Sequence, residues 1–319
     1  MSVSADMLLN ILNLGVVSAL FTIALQSLVG RAVIHWVTQC QVALQKSLLW
    51  IWVLMPFSIA GLCCMVFVTN TFSEAIWEPI GLLLHWHHLF QFEWVSWHGA
   101  LLIAFFGFTC WLTAKHLKPL SDNQKRLTLA IQLAGYSHIT LHGKSVVCLH
   151  SDNPMAFSAG LITPKIYLSS GMVDRLSEQQ LACVLEHEAQ HCRSLDPLMS
   201  WVFCFVSGFQ IKPVRKRLRT AYNIACELTA DKRAAEQYDP LNVAQTLVSV
   251  SRFNSNCHMK FGTGFGYEFV EQRVNTLLQT TPERTSGLVW VGALTTAIVG
   301  LNLVSIDSLH HYVELILSL

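Results

Sequence analysis

Four stretches of this chain are free of Asp, Glu, Lys and Arg over lengths for which a soluble fold has little use. They are Met7 to Gly30, Ser47 to Ser73, Val95 to Ala114 and Thr285 to Ile306. Each reaches the roughly 20 residues that a helix needs to cross a hydrocarbon core. Buried helices of large soluble proteins are rarely so long and charge-free, so membrane spans are expected. Across all 319 residues only 13% are charged, about half the usual share for a soluble domain. The expected architecture is an α-helical integral membrane protein with four transmembrane helices, at 7–30, 47–73, 95–114 and 285–306.

The flanking charges set an orientation. Arg31 and Lys46 lie between the first two spans, and Lys115, Lys118, Lys125 and Arg126 follow the third. Arg284 precedes the fourth, whereas the 74–94 loop holds Glu74, Glu78 and Glu93 and no basic residue. Positive charge accumulates on the cytoplasmic side. The expectation is therefore an inner (plasma) membrane protein with its N-terminus outside. The 74–94 loop would be extracytoplasmic, residues 115–284 cytoplasmic and 307–319 a short outer tail. Met1 to Asp6 has no Lys or Arg, so the first span is expected to be a retained anchor rather than a secretory signal. The ten cysteines include no CxxC spacing, which points away from a disulfide framework and from a cysteine zinc site. No direct nucleic-acid binding is expected, and oligomeric state leaves no mark on the sequence.

The outer loop gathers Trp77, Trp86, Phe90, Phe92, Trp94 and Trp97 with His85, His87 and His88. Aromatics at that density suit a segment anchored among headgroups. A sharper alternative is that the histidines sense an external ligand such as a metal.

Residues 115–284 are enough for one compact domain, expected to be α+β. An amphipathic helix is predicted from Ser121 to Leu133, ending near Gly135. Residues 145–150 and 164–169 have the β-branched and aromatic character of strands. Ser177 and Gln180 form a capping box, and Leu181, Val184 and Leu185 then supply a buried stripe. On that helix stands His187-Glu188-Ala189-Gln190-His191, a pentad that a scrambled chain of this composition would contain about two per cent of the time. Two histidines four apart share a helix face and can reach one zinc ion, with Glu188 placed to act on an activated water. Such a site needs a third protein ligand. The best candidate is Glu227 in Ala-Cys-Glu-Leu-Thr-Ala-Asp. Asp231, one turn on, is expected to accept the outer N–H of a ligand histidine, His187 being the first choice.

Pro197 to Ile211 is apolar but only 15 residues long, short for a span. A single crossing there would put Glu227 on the far side of the membrane from His187. The segment is therefore expected to be a core helix or to lie against the inner leaflet. Lys212, Arg215, Lys216, Arg217 and Arg219 follow, as headgroup contacts or as a plain solvated turn.

From about Ala156 to Leu277 the sequence resembles the membrane zinc metallopeptidases of the BlaR/MecR type. The residues that carry this are Phe157 to Gly171, Leu176 to Leu181, the pentad continuing to Arg193 and Asp196-Pro197-Leu198, Glu227 with Ala230-Asp231, and Glu271-Gln272-Arg273-Val274. The resemblance implies a zincin-like (gluzincin) peptidase domain between spans three and four, with His187, His191 and Glu227 as zinc ligands and Glu188 as general base. Two departures stand out. The chain stops at Leu319, a short tail after the fourth span, where sensor members carry a penicillin-binding domain. Ala230 also stands where many members have Cys. Glu-x-x-Ala-Asp is equally similar to the HtpX and prenyl-protein endopeptidase group, but the lack of two spans between the motifs favours the BlaR/MecR type.

Three functions follow from these expectations: a regulatory protease cutting a cytoplasmic protein such as a transcriptional repressor, an HtpX-like quality-control protease, or a non-catalytic receptor retaining the fold. For the protease readings, the strand at 164–169 is expected either to offer an edge for an extended substrate or to be interior. Tyr222, Asn223, His150 and His258 are candidate oxyanion donors.

Overall fold

The computed structural model describes residues 4–72, 91–254, 263–264, 269–278 and 286–317. Ser4 caps helix α1 (Ala5–Thr38), accepting from the Met7 amide at 3.2 Å. After a short turn the chain reverses into α2 (Val42–Phe72), and α3 follows at Trp97–Ala134. These three are long and apolar enough to cross a membrane. The first of them has its polarity arranged inside out. On α1, Asn13, Ser18, Thr22 and Gln26 are fully buried while Leu8, Leu12, Leu20 and Leu28 are exposed. In water that arrangement would be costly, and in lipid it is the natural one. The fourth apolar segment lies within α10 (Ser286–Leu317), where Val289–Asn302 forms a shorter apolar stretch among the described residues. Most of the aromatic loop, including Trp77, Trp86 and its three histidines, falls outside the described residues, as does His258.

The span expected at 95–114 and the helix expected from Ser121 prove to be one element. α3 passes through Lys118-Pro119 without a break. Proline removes one backbone donor and crowds one carbonyl, and here it sits on an exposed face where the loss is bearable. The helix stops at Gly135, whose φ of 71° suits a residue without Cβ.

α3 delivers the chain to a five-stranded sheet in the order β1-β2-β4-β3-β5. The strands are β1 Tyr136–Leu141, β2 Lys144–Leu149, β3 Ala156–Ala159, β4 Lys165–Ser169 and β5 Thr263–Gly264. β2 and β4 run parallel and the other pairs antiparallel. Alternation gives the sheet two working faces. Val147, Leu149, Phe157 and Tyr167 pack with Leu127 and Ile131 of α3. Val146, Ile166 and Leu168 face the other way, onto α5 (Glu178–Arg193), which follows the one-turn helix α4 (Ser170–Val173). The segment at 164–169 is thus β4, an interior strand held by β2 and β3. It has no free edge for a substrate, which settles that alternative.

Beyond α5 the chain forms a helical hairpin. α6 (Asp196–Val206) and a 3-10 turn (Ser207–Phe209) lead into α7 (Lys212–Gln237). The tip of the Pro197–Ile211 segment enters the bundle, as a core helix would, while most of α6 is only partly buried. Phe209 sits 5.2 Å from the ring of Phe57 on α2, and 6.0 and 5.7 Å from Phe105 and Phe108 on α3. Gln210 donates to Gln26 Oε1 on α1 at 2.5 Å, and Gln26 in turn donates to the Trp52 carbonyl at 2.8 Å. The approach is close at Gly208, where a Cβ would fall 2.8 Å from the end of the Leu112 side chain. α7 then belongs to two cores. Val214, Leu218, Ala221 and Tyr222 join the bundle, whereas Ala234 packs on Cys183 of α5 and Val243 of α8 (Pro240–Asn254). Helix α9 (Val270–Leu278) completes the α+β domain.

Candidate metal centre

The start of α5 is fixed by reciprocal capping: the Gln180 amide donates to Ser177 Oγ at 3.3 Å and the Ser177 amide to Gln180 Oε1 at 3.1 Å. Leu181, Val184 and Leu185 then press the helix onto the sheet. That register carries His187, Glu188 and His191 into the interior, each with no exposed surface.

α7 crosses α5 and brings Glu227 to the histidines. His187 Nε2 and His191 Nε2 are 3.1 Å apart. Glu227 places Oε2 3.4 Å from the first and Oε1 3.5 Å from the second. Ligands 2.0–2.2 Å from a tetrahedral centre stand about 3.3–3.6 Å from one another. The two carboxylate separations fall in that range and the imidazole nitrogens lie slightly closer together, so the two-nitrogen, one-carboxylate set could hold a single divalent ion, and these three residues form the one such group among the described residues. Glu227 retains 16% side-chain exposure where the imidazoles have none, so access comes from its side.

Each imidazole is oriented from behind. Asp231 Oδ1 lies 3.0 Å from His187 Nδ1, and Asp196 Oδ2 lies 2.8 Å from His191 Nδ1. An ionised carboxylate only accepts, so His191 Nδ1 donates to Asp196, while His187 Nδ1 faces Asp231 as an ion pair and both Nε2 atoms face Glu227. Asp231 thus lies beside His187, the histidine to which the sequence assigns it. Asp196 had been noted only as part of the family pattern. It reaches His191 because Leu195 turns the chain with φ 50°, ψ 37° between α5 and α6. This left-handed conformation costs a non-glycine residue roughly 1 kcal/mol.

The carboxylates have their own partners, which sequence reasoning did not assign. Arg273 of α9, fully buried, donates to Asp231 from Nε at 2.7 Å and from Nη2 at 2.6 Å, and its Nη1 is 2.9 Å from Glu227 Oε2. Lys46 at the start of α2 donates to Asp196 Oδ1 at 2.6 Å. Burial alone would raise the pKa of Asp231, but the charge and hydrogen bonds of Arg273, with His187, hold it well below the usual carboxylate range. Glu227 is lowered for similar reasons, against its burial, by Arg273 and both histidines. Burial disfavours the His187 imidazolium, yet Asp231 and Glu227 outweigh it and hold the pKa at about 9 without a metal. A divalent cation competes for the same Nε2.

Other residues are committed elsewhere. Glu186, its side chain 1% exposed, ties Lys144 of β2 at 2.7 Å and Arg193, locking the sheet to α5. Tyr222 stacks on Phe203 and its hydroxyl accepts from Trp50 Nε1 at 3.3 Å, so it serves the bundle core. His150 is exposed beside Ser137, and Asn223 is exposed on α7.

No curated protein and no solved structure gives a match. A family model described as BlaR1 peptidase M56 matches residues 82–275, more than half of the chain, and takes in the sheet, α5, the hairpin and Arg273. On that match the chain belongs to the BlaR/MecR-type M56 peptidases, a family of metallopeptidases.

Proposed function

We propose that this protein is a membrane-embedded zinc endopeptidase that cuts a cytoplasmic protein in response to a signal, a transcriptional repressor being the expected type of target. The observation that carries the reading is the convergence of His187, His191 and Glu227 from two helices, at separations that suit one tetrahedral ion. Zinc suits the donor set, and when bound it supplies Lewis acidity that acidifies water and polarises a peptide carbonyl. Asp231 and Asp196 keep the imidazoles in the ligating tautomer. Glu188, fully buried on the same helix, takes the proton of the attacking water. It then gives that proton to the amide nitrogen as the C–N bond breaks. The peptidase domain would adopt a zincin-like arrangement on the cytoplasmic side of an inner membrane.

Four spans with the N-terminus outside accord with the loop charges. α10 is supported as the fourth by its seat in the bundle. Asn302 donates to Thr22 Oγ1 at 3.0 Å and accepts from Ser18 Oγ at 3.1 Å, both on α1.

The test is Glu188→Gln in the full chain. Metal content is expected to stay at wild-type level while proteolysis falls by roughly 10²- to 10⁴-fold. A proteomic comparison of cells carrying either form should show one stabilised cytoplasmic protein. Undiminished proteolysis would overturn the mechanism, and stabilisation of many misfolded membrane proteins would replace regulation with quality control.

A further inference from the structure

The sequence leaves the five basic residues at the start of α7 as either headgroup contacts or a solvated turn, and the fold gives two of them a place. Arg215 and Arg219 face α3 across a cleft of about 350 Å³, where they meet Lys115, His116 and Asn123, with Leu112 and Trp201 among the apolar walls. Neither arginine nor Lys115 pairs with a carboxylate among the described residues. Arg219 donates to Ser207 Oγ at 3.0 Å and to the Cys204 carbonyl at 2.5 Å, and Arg215 to the Gly208 carbonyl at 3.2 Å. Five N–H groups are available to a guanidinium, so each keeps donors to spare. Burial, with Arg215 beside it and against the Cys204 thiol, holds Arg219 below its ordinary pKa.

The surroundings say what kind of anion fits. Lys115 is the first charge after the apolar run of α3 and lies over the ring of Trp111 at 4.7 Å. Phe106, Phe108 and Trp111 project from the same helix, each at least 40% exposed. A basic cleft at the end of an exposed aromatic and aliphatic surface matches an amphiphile with an anionic head.

We propose that the cleft between α3 and the α6–α7 hairpin binds a phosphate group, held by Lys115, Arg215 and Arg219, and that its source is the headgroup of an anionic phospholipid. This reading does not depend on the peptidase assignment. Arg219 precedes Glu227 by eight residues, about 12 Å along the helix.

The experiment uses the delipidated full chain in neutral detergent. It is titrated with phosphatidylglycerol or phosphatidylcholine in mixed micelles, and separately with inorganic phosphate, binding being read by native mass spectrometry and by the thermal midpoint. Phosphatidylglycerol is expected to bind saturably and raise the midpoint, while phosphatidylcholine does neither. Lys115→Gln should weaken binding by about fivefold, and Lys115→Gln with Arg215→Gln by more than tenfold. Lys216→Gln with Arg217→Gln, on the exposed side of the same helix, should change it less than twofold. Lys115 is exposed, so the single variant guards against misfolding of the double. If inorganic phosphate binds with the same dependence and the lipid does not, the site stands with a soluble ligand. Binding of both probes indifferent to Lys115 and Arg215, or equally weakened by the Lys216/Arg217 pair, would overturn it.

Discussion

The two imidazoles of the metal centre are held by different parts of the molecule. His187 leans on Asp231 and, through it, on Arg273, so its whole support lies within the α+β domain. His191 leans on Asp196, whose other oxygen is held by Lys46 at the start of a membrane helix. One imidazole is therefore set by the α+β domain and the other is tied to the bundle. A displacement of α2 relative to the domain would reach His191 first.

The largest expected effect breaks the domain-side arm. Arg273→Met leaves two buried carboxylates without their cation, which should cost about 3–5 kcal/mol of stability, read as a lowered thermal midpoint. Arg273→Lys should recover little of it, since an ammonium cannot make the paired Nε and Nη2 contacts. Next comes Asp231→Asn. Removal of a ligand's outer partner costs about 10- to 100-fold in metal affinity, and competition with a fluorescent chelator would measure it. Asp196→Asn should fall at the lower end of that range, as it loses a lysine rather than a guanidinium fork. Smallest is Lys46→Met, expected to lower metal affinity about fivefold, with a smaller fall in thermal midpoint than Arg273→Met because Asp196 keeps its bond to His191. If Lys46→Met equals Asp231→Asn in effect, the two arms are not held differently. If it has no effect at all, the bundle does not hold His191.

Much of the site could be read from spacing. His187 with His191 and Glu227 with Asp231 are pairs four apart, and helical geometry alone turns each pair to one side. Arg273 and Lys46 could not be found that way. They sit 42 and 150 residues from their partners, and a lone Arg or Lys on a helix carries no periodic signal. β3 escaped because four residues with Ala at both ends show no alternation, although burial on both faces makes it part of the sheet. α3 was divided because Lys118-Pro119-Leu120-Ser121 reads locally as a stop and a new cap. The actual helix gives up one hydrogen bond there to join membrane and sheet without a hinge. The apolar hairpin segment is short in the sequence, and its seat among Phe57, Phe105 and Phe108 depends on helices that local patterning does not position.

The account rests on three side chains sharing one ion, and X-ray absorption at the zinc edge of the purified full chain tests this most directly. It predicts one zinc per chain with two imidazole nitrogens at about 2.0–2.1 Å and carboxylate oxygen at about 2.0–2.2 Å, and loss of the bound metal in Glu227→Ala. A sulfur scatterer near about 2.3 Å, or a metal content that Glu227→Ala leaves unchanged, would contradict it.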